Sequence, residues 1–191
     1  MRRNAAGDVL EVEVQVVSGW SDWVRAAQII NQQLRAVGVR ATVASRDFGA
    51  WMETLTRGEF SMSLGWSGDG ATPYPLYHGL MASEGVVPPG ESAGQNWHRV
   101  GDAQADADLR ILETNPDEQV QREAIVRLQK RFSEIAPAIP LFPSPSWGQA
   151  NTRRFVGFPS AEDPYAPLSP HKSPVPLLVL TRLQAREQGT P

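Results

Sequence analysis

Cysteine is absent from the 191 residues of this chain. Its absence excludes disulfide bonds, thiolate metal ligands and a cysteine nucleophile. The three histidines, His78, His98 and His171, do not have the spacing of a metal site, and we expect them in loops or on the surface. A cysteine-free chain is compatible with an oxidising or a reducing compartment, so this feature does not decide the location.

Clusters of positive charge and long apolar runs are missing as well. The net charge of −3 and the lack of any Lys/Arg cluster argue against nucleic-acid binding. No apolar run approaches the length of a transmembrane helix. Residues 1–8 are polar and too short for the apolar part of a signal peptide, so we expect a disordered or leftover N-terminal segment there.

Catalytic motifs are also lacking. Ser67 does not stand in a Gly-x-Ser-x-Gly elbow, and the glycines between 65 and 70 lack the Lys-Ser/Thr of a phosphate loop. Glu53 and Glu59 fit the surface of a helix better than a pair of glycosidase carboxylates. The sequence therefore predicts a protein that is not an enzyme and that carries no cofactor or metal.

The first third of the chain has the pattern of an α/β fold. Residues 9–17 alternate between valines and polar residues, which predicts a half-buried strand. A helical pattern follows from Ser21, a candidate N-cap, to Gly38, and residues 39–44 form a second strand. This βαβ unit predicts parallel strands with a right-handed crossover. A short helix over 48–57, with Phe48 facing inward, and a third strand over 60–66 complete the predicted unit.

The rest of the chain is helical and then rich in proline. Asp102 is a candidate cap for one helix, and Asn115 followed by Pro116 is a candidate start for a longer one that ends before Pro137. Eleven of the 16 prolines fall after Ala136. The apolar stretches 139–142 and 177–183 are predicted strands.

The segment from Gly65 to Tyr74 is the best candidate for a binding loop. It follows an apolar strand, and loops at the carboxyl ends of strands are where α/β proteins bind ligands. Trp66 offers a flat apolar face, and Asp69 offers a carboxylate acceptor. The alternatives are a core tryptophan and a turn aspartate that bonds its own backbone.

Four segments, in order, resemble the family 5 solute-binding proteins, which are the oligopeptide- and dipeptide-type receptors of ABC importers. The matching segments are Gln32-Gln33-Leu34 with Val37-Gly38-Val39, Trp51 with Gly58-Glu59-Phe60, Gly65-Trp66 through Pro73, and Asp117–Gln129 with Ile135–Leu141. The resemblance covers about residues 9–185 and implies the C-terminal part of such a protein.

By this resemblance, residues 9–137 are the second lobe of a type II periplasmic-binding-protein fold. Residues 138–191 are then the hinge strand and a C-terminal segment that belongs to the first lobe. The implied function is capture of an oligosaccharide or oligopeptide by lobe closure, outside the cytoplasm, with an ABC permease as partner. An alternative from the exposed apolar residues is an interaction module that forms homodimers.

The resemblance and the strand ends together imply a set of ligand contacts. Asp69 would hold the amino group of a peptide or accept hydrogen bonds from a sugar. The sequence Thr72-Pro73-Tyr74 is more typical of relatives that take oligosaccharides than of peptide binders. The predicted ligand-binding residues are Trp20, Trp66, Asp69, Tyr74, Asn96 and Trp147.

Overall fold

The structure is a computed structural model that describes residues 1–70, 72–143, 148–169 and 174–186. It divides into two compact units, Met1–Ile139 and Pro140–Pro191. No helix among the described residues is long and apolar enough to cross a membrane. The helices and strands, in chain order, are β1 Glu11–Val17, α1 Ser21–Ala36, β2 Arg40–Arg46, α2 Phe48–Arg57, β3 Met62–Ser63, α3 Tyr74–Met81, α4 Ala103–Thr114, α5 Glu118–Ile135, β4 Phe155–Val156, α6 Val175–Arg182 and β5 Gln184–Ala185.

A three-stranded parallel sheet with the order β2-β1-β3 forms the centre of the first unit. The predicted parallel βαβ unit is present, and the mixed helix and strand architecture with a parallel sheet confirms the predicted α/β class. The third strand is shorter than the predicted 60–66, because only Met62 and Ser63 pair with β1.

The central strand β1 is buried on both faces over its second half, so the predicted half-buried strand is wrong there. Val14 and Val16 pack against α1, whereas Gln15 and Val17 lie on the side of α2, and all four are at most 3% exposed. A parallel sheet is covered by helices on both faces. On the α2 side, Gln15 Oε1 accepts a hydrogen bond from Thr54 Oγ1 at 2.7 Å.

Helix α2 shows why the predicted inward position of Phe48 is wrong. Its buried residues are Trp51 and Leu55, and Phe48 is 49% exposed. The helix begins at Phe48 because the Asp47 side chain accepts a hydrogen bond from Ala50 N at 3.0 Å. It ends at Gly58, whose φ of 69° is the left-handed conformation that glycine adopts without strain.

Helices α3, α4 and α5 form a second layer of the first unit around Tyr77, Met81, Leu109 and Leu128. Arg131 of α5 donates to Asp102 at 2.5 Å and joins α5 to the start of α4. The side chains that cap two helices are Asp102, as predicted, and Asp117 instead of the predicted Asn115. Asn115 accepts from Asp117 N at 2.9 Å and shapes the turn before the cap. Helix α1 likewise begins at Ser21 and has Trp20 in the cap position, so Ser21 is not its N-cap.

The first eight residues, for which the sequence predicts a disordered or leftover segment, form a hydrogen-bonded turn. Arg2 N donates to Gly38 O at 2.6 Å, Leu10 N donates to Arg2 O at 3.0 Å, and Arg3 bridges to Val9.

The chain from Ile139 onward differs from the sequence prediction in two places. Residues 139–142 form no strand, because Pro140 lacks an N–H group and none of the described segments pairs with this stretch. The predicted strand over 177–183 is helix α6, whose first turn contains Pro176 and whose leucines, which are not branched at Cβ, favour a helix. Strands β4 and β5 pair antiparallel within this unit.

Candidate functional site

Three partly exposed aromatic side chains stand at the carboxyl end of the parallel sheet, one after each strand. Trp20 follows β1, Phe48 follows β2 and Trp66 follows β3. We call these three residues the aromatic patch. Since ligands of open α/β sheets bind beyond the carboxyl ends of the strands, the topology places the patch where a ligand is expected.

The rings of the patch are close together and accessible. The Trp20 ring centroid lies 5.9 Å from that of Phe48 and 6.1 Å from that of Trp66, and the planes are tilted by 45° and 48°. Trp66 is 44% exposed and Phe48 is 49% exposed, whereas Trp20 is partly buried between them. The patch therefore offers apolar ring faces to solvent in a tilted arrangement instead of one flat plane.

Three further tryptophans pack against the rings of the patch. Trp51 is fully buried, with its centroid 5.2 Å from that of Trp66, and its Nε1 donates to Ser63 Oγ at 3.1 Å. Trp23 meets Trp20 edge to face at 4.6 Å, and Trp97 meets Trp66 in the same way at 5.3 Å. Edge-to-face pairs of this kind contribute about 0.5–1.5 kcal/mol each beyond the area that they bury. The accessible rings of Trp20 and Trp66 thus pack against other aromatic rings.

The charged groups beside the second strand are used within the protein. Arg46, the last residue of β2, pairs with Glu13 at 2.8 Å, and Asp47 caps α2. The three side chains of the patch are themselves uncharged. An apolar surface of this kind suits the CH face of a sugar or an apolar side chain of a peptide.

The glycine-rich loop after β3 places Asp69 on the surface. Asp69 is exposed, and it takes part in an interaction with the rest of the protein. Gly68 lies so close to the main chain of Pro75 that a Cβ atom at this position would overlap the Pro75 carbonyl. The loop is therefore folded against the start of α3, and its conformation depends on the glycine.

Tyr74 belongs to the helical layer of the first unit. Its ring stacks on that of His78 at 5.1 Å, and its hydroxyl donates to Glu113 of α4. Burial and this hydrogen bond to a carboxylate raise the pKa of Tyr74 to about 12. The hydroxyl is occupied by a partner on α4, so a role of Tyr74 as a ligand contact stays a prediction without support from this geometry.

Asn96 has a structural role in this fold. The residue is 2% exposed, and its Nδ2 donates to Ala82 O at 3.0 Å and to Val100 O at 2.9 Å. Its Oδ1 accepts from Val100 N at 3.0 Å. These bonds use both donors and one acceptor of the amide, and the predicted contact with a ligand has no support from the geometry.

The remaining predicted contact, Trp147, lies outside the described residues. No group of three or more histidine or acidic side chains that could hold a metal occurs in the part of the chain that the structure describes. The structure thus brings Trp20 and Trp66 together at one end of the sheet, with Asp69 on the loop that follows Trp66. As ligand contacts, all three stay predictions.

Sequence reasoning missed two members of this site. Phe48 reads as an inward residue because helical periodicity does not tell which face of a short helix is covered. Trp97 has no periodic context at all, and its position under Trp66 depends on the turn that carries it. A signal was present for Phe48, since it directly follows the end of a strand in the same way as Trp20 and Trp66.

No protein-family model matches the sequence, and no curated protein matches it. Among solved structures, the chain is similar to the periplasmic oligopeptide-binding protein of an oligopeptide ABC transporter from Thermotoga maritima, in a crystal structure with mannohexaose bound. The TM-score is 0.82 at 21% identity, over 98% of this chain and 35% of that chain. A second crystal structure of the T. maritima protein gives a TM-score of 0.83 at 22% identity, over 97% and 35%.

The chain is also similar to the ABC transporter-associated periplasmic binding protein DppA from Helicobacter pylori in complex with the peptide STSA. Here the TM-score is 0.59 at 17% identity, over 70% of this chain and 25% of that chain. The identities are low, so the likeness concerns the fold. The neighbours are substrate-binding transport proteins of the family 5 type and not enzymes. This chain spans 35% of the length of the T. maritima protein and has the fold of one part of a periplasmic oligopeptide-binding protein.

Proposed function

We propose that this chain is a ligand-binding part of an ABC importer's substrate-binding protein and that the aromatic patch holds an oligosaccharide. The observation that carries the proposal is the position of Trp20, Phe48 and Trp66, one after each parallel strand, with exposed ring faces. Neighbours of similar fold hold mannohexaose in one structure and the peptide STSA in another.

The chemistry of the patch favours a sugar over a peptide. A pyranose packs its CH face on an aromatic ring, and tilted rings about 6 Å apart suit successive residues of an oligosaccharide. The charged ends of a short peptide need charged partners. Arg46 and Asp47, the charged residues at the end of β2, are already engaged within the protein. Asp69, on the adjoining loop, would accept hydrogen bonds from sugar hydroxyls.

The mechanism that follows is capture without a chemical step. A ligand that contacts two lobes favours the closed state by its differential affinity, and the transporter recognises that state. This function places the protein in the periplasm or outside the cell, with an ABC permease as its partner. Because the patch supplies the contacts of one side only, we expect weak binding by this chain.

Saturation-transfer NMR detects such weak binding and tests the proposal. The chain is mixed with mannohexaose, and separately with a tetrapeptide, at millimolar concentration. We expect saturation of the sugar protons, loss of this signal in Trp66→Ala, and its retention in Phe155→Ala. Phe155 is the matched control because it is 47% exposed and belongs to the other unit. A signal from the peptide alone that Asp69→Ala removes would point to a peptide ligand, and no signal from either would contradict the proposal.

A second function is an interaction module that forms homodimers. The observation that favours it is the exposure of apolar side chains in two stretches, with Ile139 at 73%, Leu177 at 64% and Leu180 at 67%. Exposed apolar groups of this kind mark interfaces. Small-angle X-ray scattering over a range of concentrations tests it, because a monomer at high concentration contradicts the dimer.

A further inference from the structure

The turn that carries Trp97 contains two residues in the left-handed backbone region that are not glycine. Asn96 has a φ of 52° and Arg99 a φ of 58°. A non-glycine residue in this region is strained and persists only where its surroundings fix its conformation, and such residues cluster at functional sites. Asparagine tolerates the conformation, whereas a long side chain such as arginine adopts it rarely.

The guanidinium group of Arg99 fixes this turn to two other segments. Its Nη1 donates to Trp97 O at 2.5 Å, and its Nη2 donates to Thr56 O and to Glu91 O, both at 2.9 Å. Thr56 lies near the end of α2, and Glu91 lies in the long loop before the turn. One planar group thus joins three stretches of main chain, which a lysine, with a single ammonium group, does not reproduce.

The space for this guanidinium is provided by the C-cap of α2. A Cβ atom at Gly58 would overlap the guanidinium group of Arg99. Gly58 therefore serves two purposes, since it adopts the left-handed cap and leaves room for the arginine.

Trp97 transmits the position of the turn to the aromatic patch. Its ring meets Trp66 edge to face, with centroids 5.3 Å apart and planes at 89°. Trp51, in the buried core under the patch, supports Trp66 from another side at 5.2 Å. The exposed Trp66 ring is therefore held between one ring of the α2 core and one ring of the turn.

We propose that Arg99 is a positioning residue for the solute site: it fixes the turn so that Trp97 sets the angle at which Trp66 faces the solute. This inference rests on the proposed function for its consequence in binding, but the link from Arg99 to Trp66 exists without a ligand. A binding ring must keep its orientation before the ligand arrives, because ordering it on binding costs affinity. The strain at Arg99 is the cost of this orientation.

Fluorine NMR of the chain labelled with 5-fluorotryptophan tests the inference. Each tryptophan resonance is assigned by a Trp→Phe substitution, and spectra are recorded without ligand for the wild type and for Arg99→Lys. Arg122→Lys is the matched control, since the Arg122 side chain is 72% exposed and forms an ion pair with Glu118 of its own helix. Urea unfolding of each variant measures stability, and saturation transfer measures mannohexaose binding.

We expect Arg99→Lys to shift or broaden the Trp66 resonance and to weaken mannohexaose binding by about fivefold or more, in a protein that is still folded. Arg122→Lys should change neither quantity. A purely structural role of Arg99 would lower stability and leave the Trp66 resonance of the folded protein unchanged, and this result would overturn the proposal. If the wild type does not bind mannohexaose, the proposed function fails, while the ligand-free spectra still decide the role of Arg99.

A second variant keeps the test decisive if Arg99→Lys does not fold. Gly58→Ala displaces the guanidinium group without changing it, although alanine is also strained in the left-handed cap. The same change of the Trp66 resonance is expected. An unchanged resonance in a folded Gly58→Ala protein would contradict the proposal.

Discussion

Replacing Asn96 by alanine tests the reasoning about the turn beneath the patch. The alanine removes the amide that donates to Ala82 O and Val100 O and accepts from Val100 N. Since Asn96 is 2% exposed, water does not take over these bonds without a change in the loop. The left-handed φ of 52° also becomes unfavourable, because alanine lacks the local hydrogen bonding of asparagine.

The size of the effect follows from these contacts. Each hydrogen bond contributes about 1 kcal/mol net, so the loss of three lowers the free energy of unfolding by about 3 kcal/mol. Alanine in the left-handed region adds about 1 kcal/mol. We therefore expect a loss of about 3–4 kcal/mol. Asn96→Gly removes the same bonds, but glycine adopts the left-handed φ without strain. Its loss of unfolding free energy should therefore be about 1 kcal/mol smaller than that of Asn96→Ala.

Urea unfolding followed by tryptophan fluorescence measures this loss. Asn4→Ala is the matched control, because Asn4 is exposed and also makes two side-chain hydrogen bonds, both with Asp8. This control should lose less than about 1 kcal/mol. A loss for Asn96→Ala no larger than that of the control would refute the reasoning, and so would wild-type stability in Asn96→Gly.

Three further predictions follow from single contacts in the first unit. Gly68→Ala should displace the loop after β3, since the new Cβ overlaps the Pro75 carbonyl. Mannohexaose binding, measured by saturation transfer, should weaken severalfold with little loss of stability, and unchanged binding would contradict this prediction. The hydrogen bond from Arg131 lowers the pKa of Asp102, so Asp102→Asn should lower the free energy of unfolding by about 1–2 kcal/mol at neutral pH. In urea unfolding below about pH 3.8, the difference between this variant and the wild type should shrink, because the wild type loses the stabilisation as Asp102 is protonated. Burial lowers the pKa of His98 and favours its neutral form, so the unfolding free energy of the wild type should fall as the pH drops below about 6.5. His98→Gln should lack this decrease, and a pH profile identical to that of the wild type would contradict the prediction.

Local sequence patterns predicted the helices and strands of the first unit and the end of the sheet at which a ligand is expected. Alternating valines, a helical stripe and the glycines at 38 and 58 predicted the βαβ unit and helix α2, whose bounds at Phe48 and Arg57 are confirmed. These signals are local, because periodicity and caps depend on neighbours within one or two turns. The tryptophan after β3 pointed to the carboxyl end of the sheet for the same reason.

Sequence patterns failed where the outcome depends on contacts with distant segments. The face of β1 that carries Gln15 is buried only because α2 covers it. The leucines of 177–183 are compatible with a strand or a helix, and they lie in α6, which begins at Val175. The proline-flanked stretch 139–142 has the composition of a strand but pairs with no described segment.

The arrangement of the aromatic patch depends on contacts between distant parts of the chain. No local pattern relates Trp97 to Trp66, which lie 31 positions apart and meet edge to face through a turn fixed by Arg99. The exposure of Phe48 and the enclosure of Asn96 were likewise set by packing. A sequence states which side chains are available after each strand, whereas the angle and exposure of each ring depend on long-range contacts that the folded chain alone assembles.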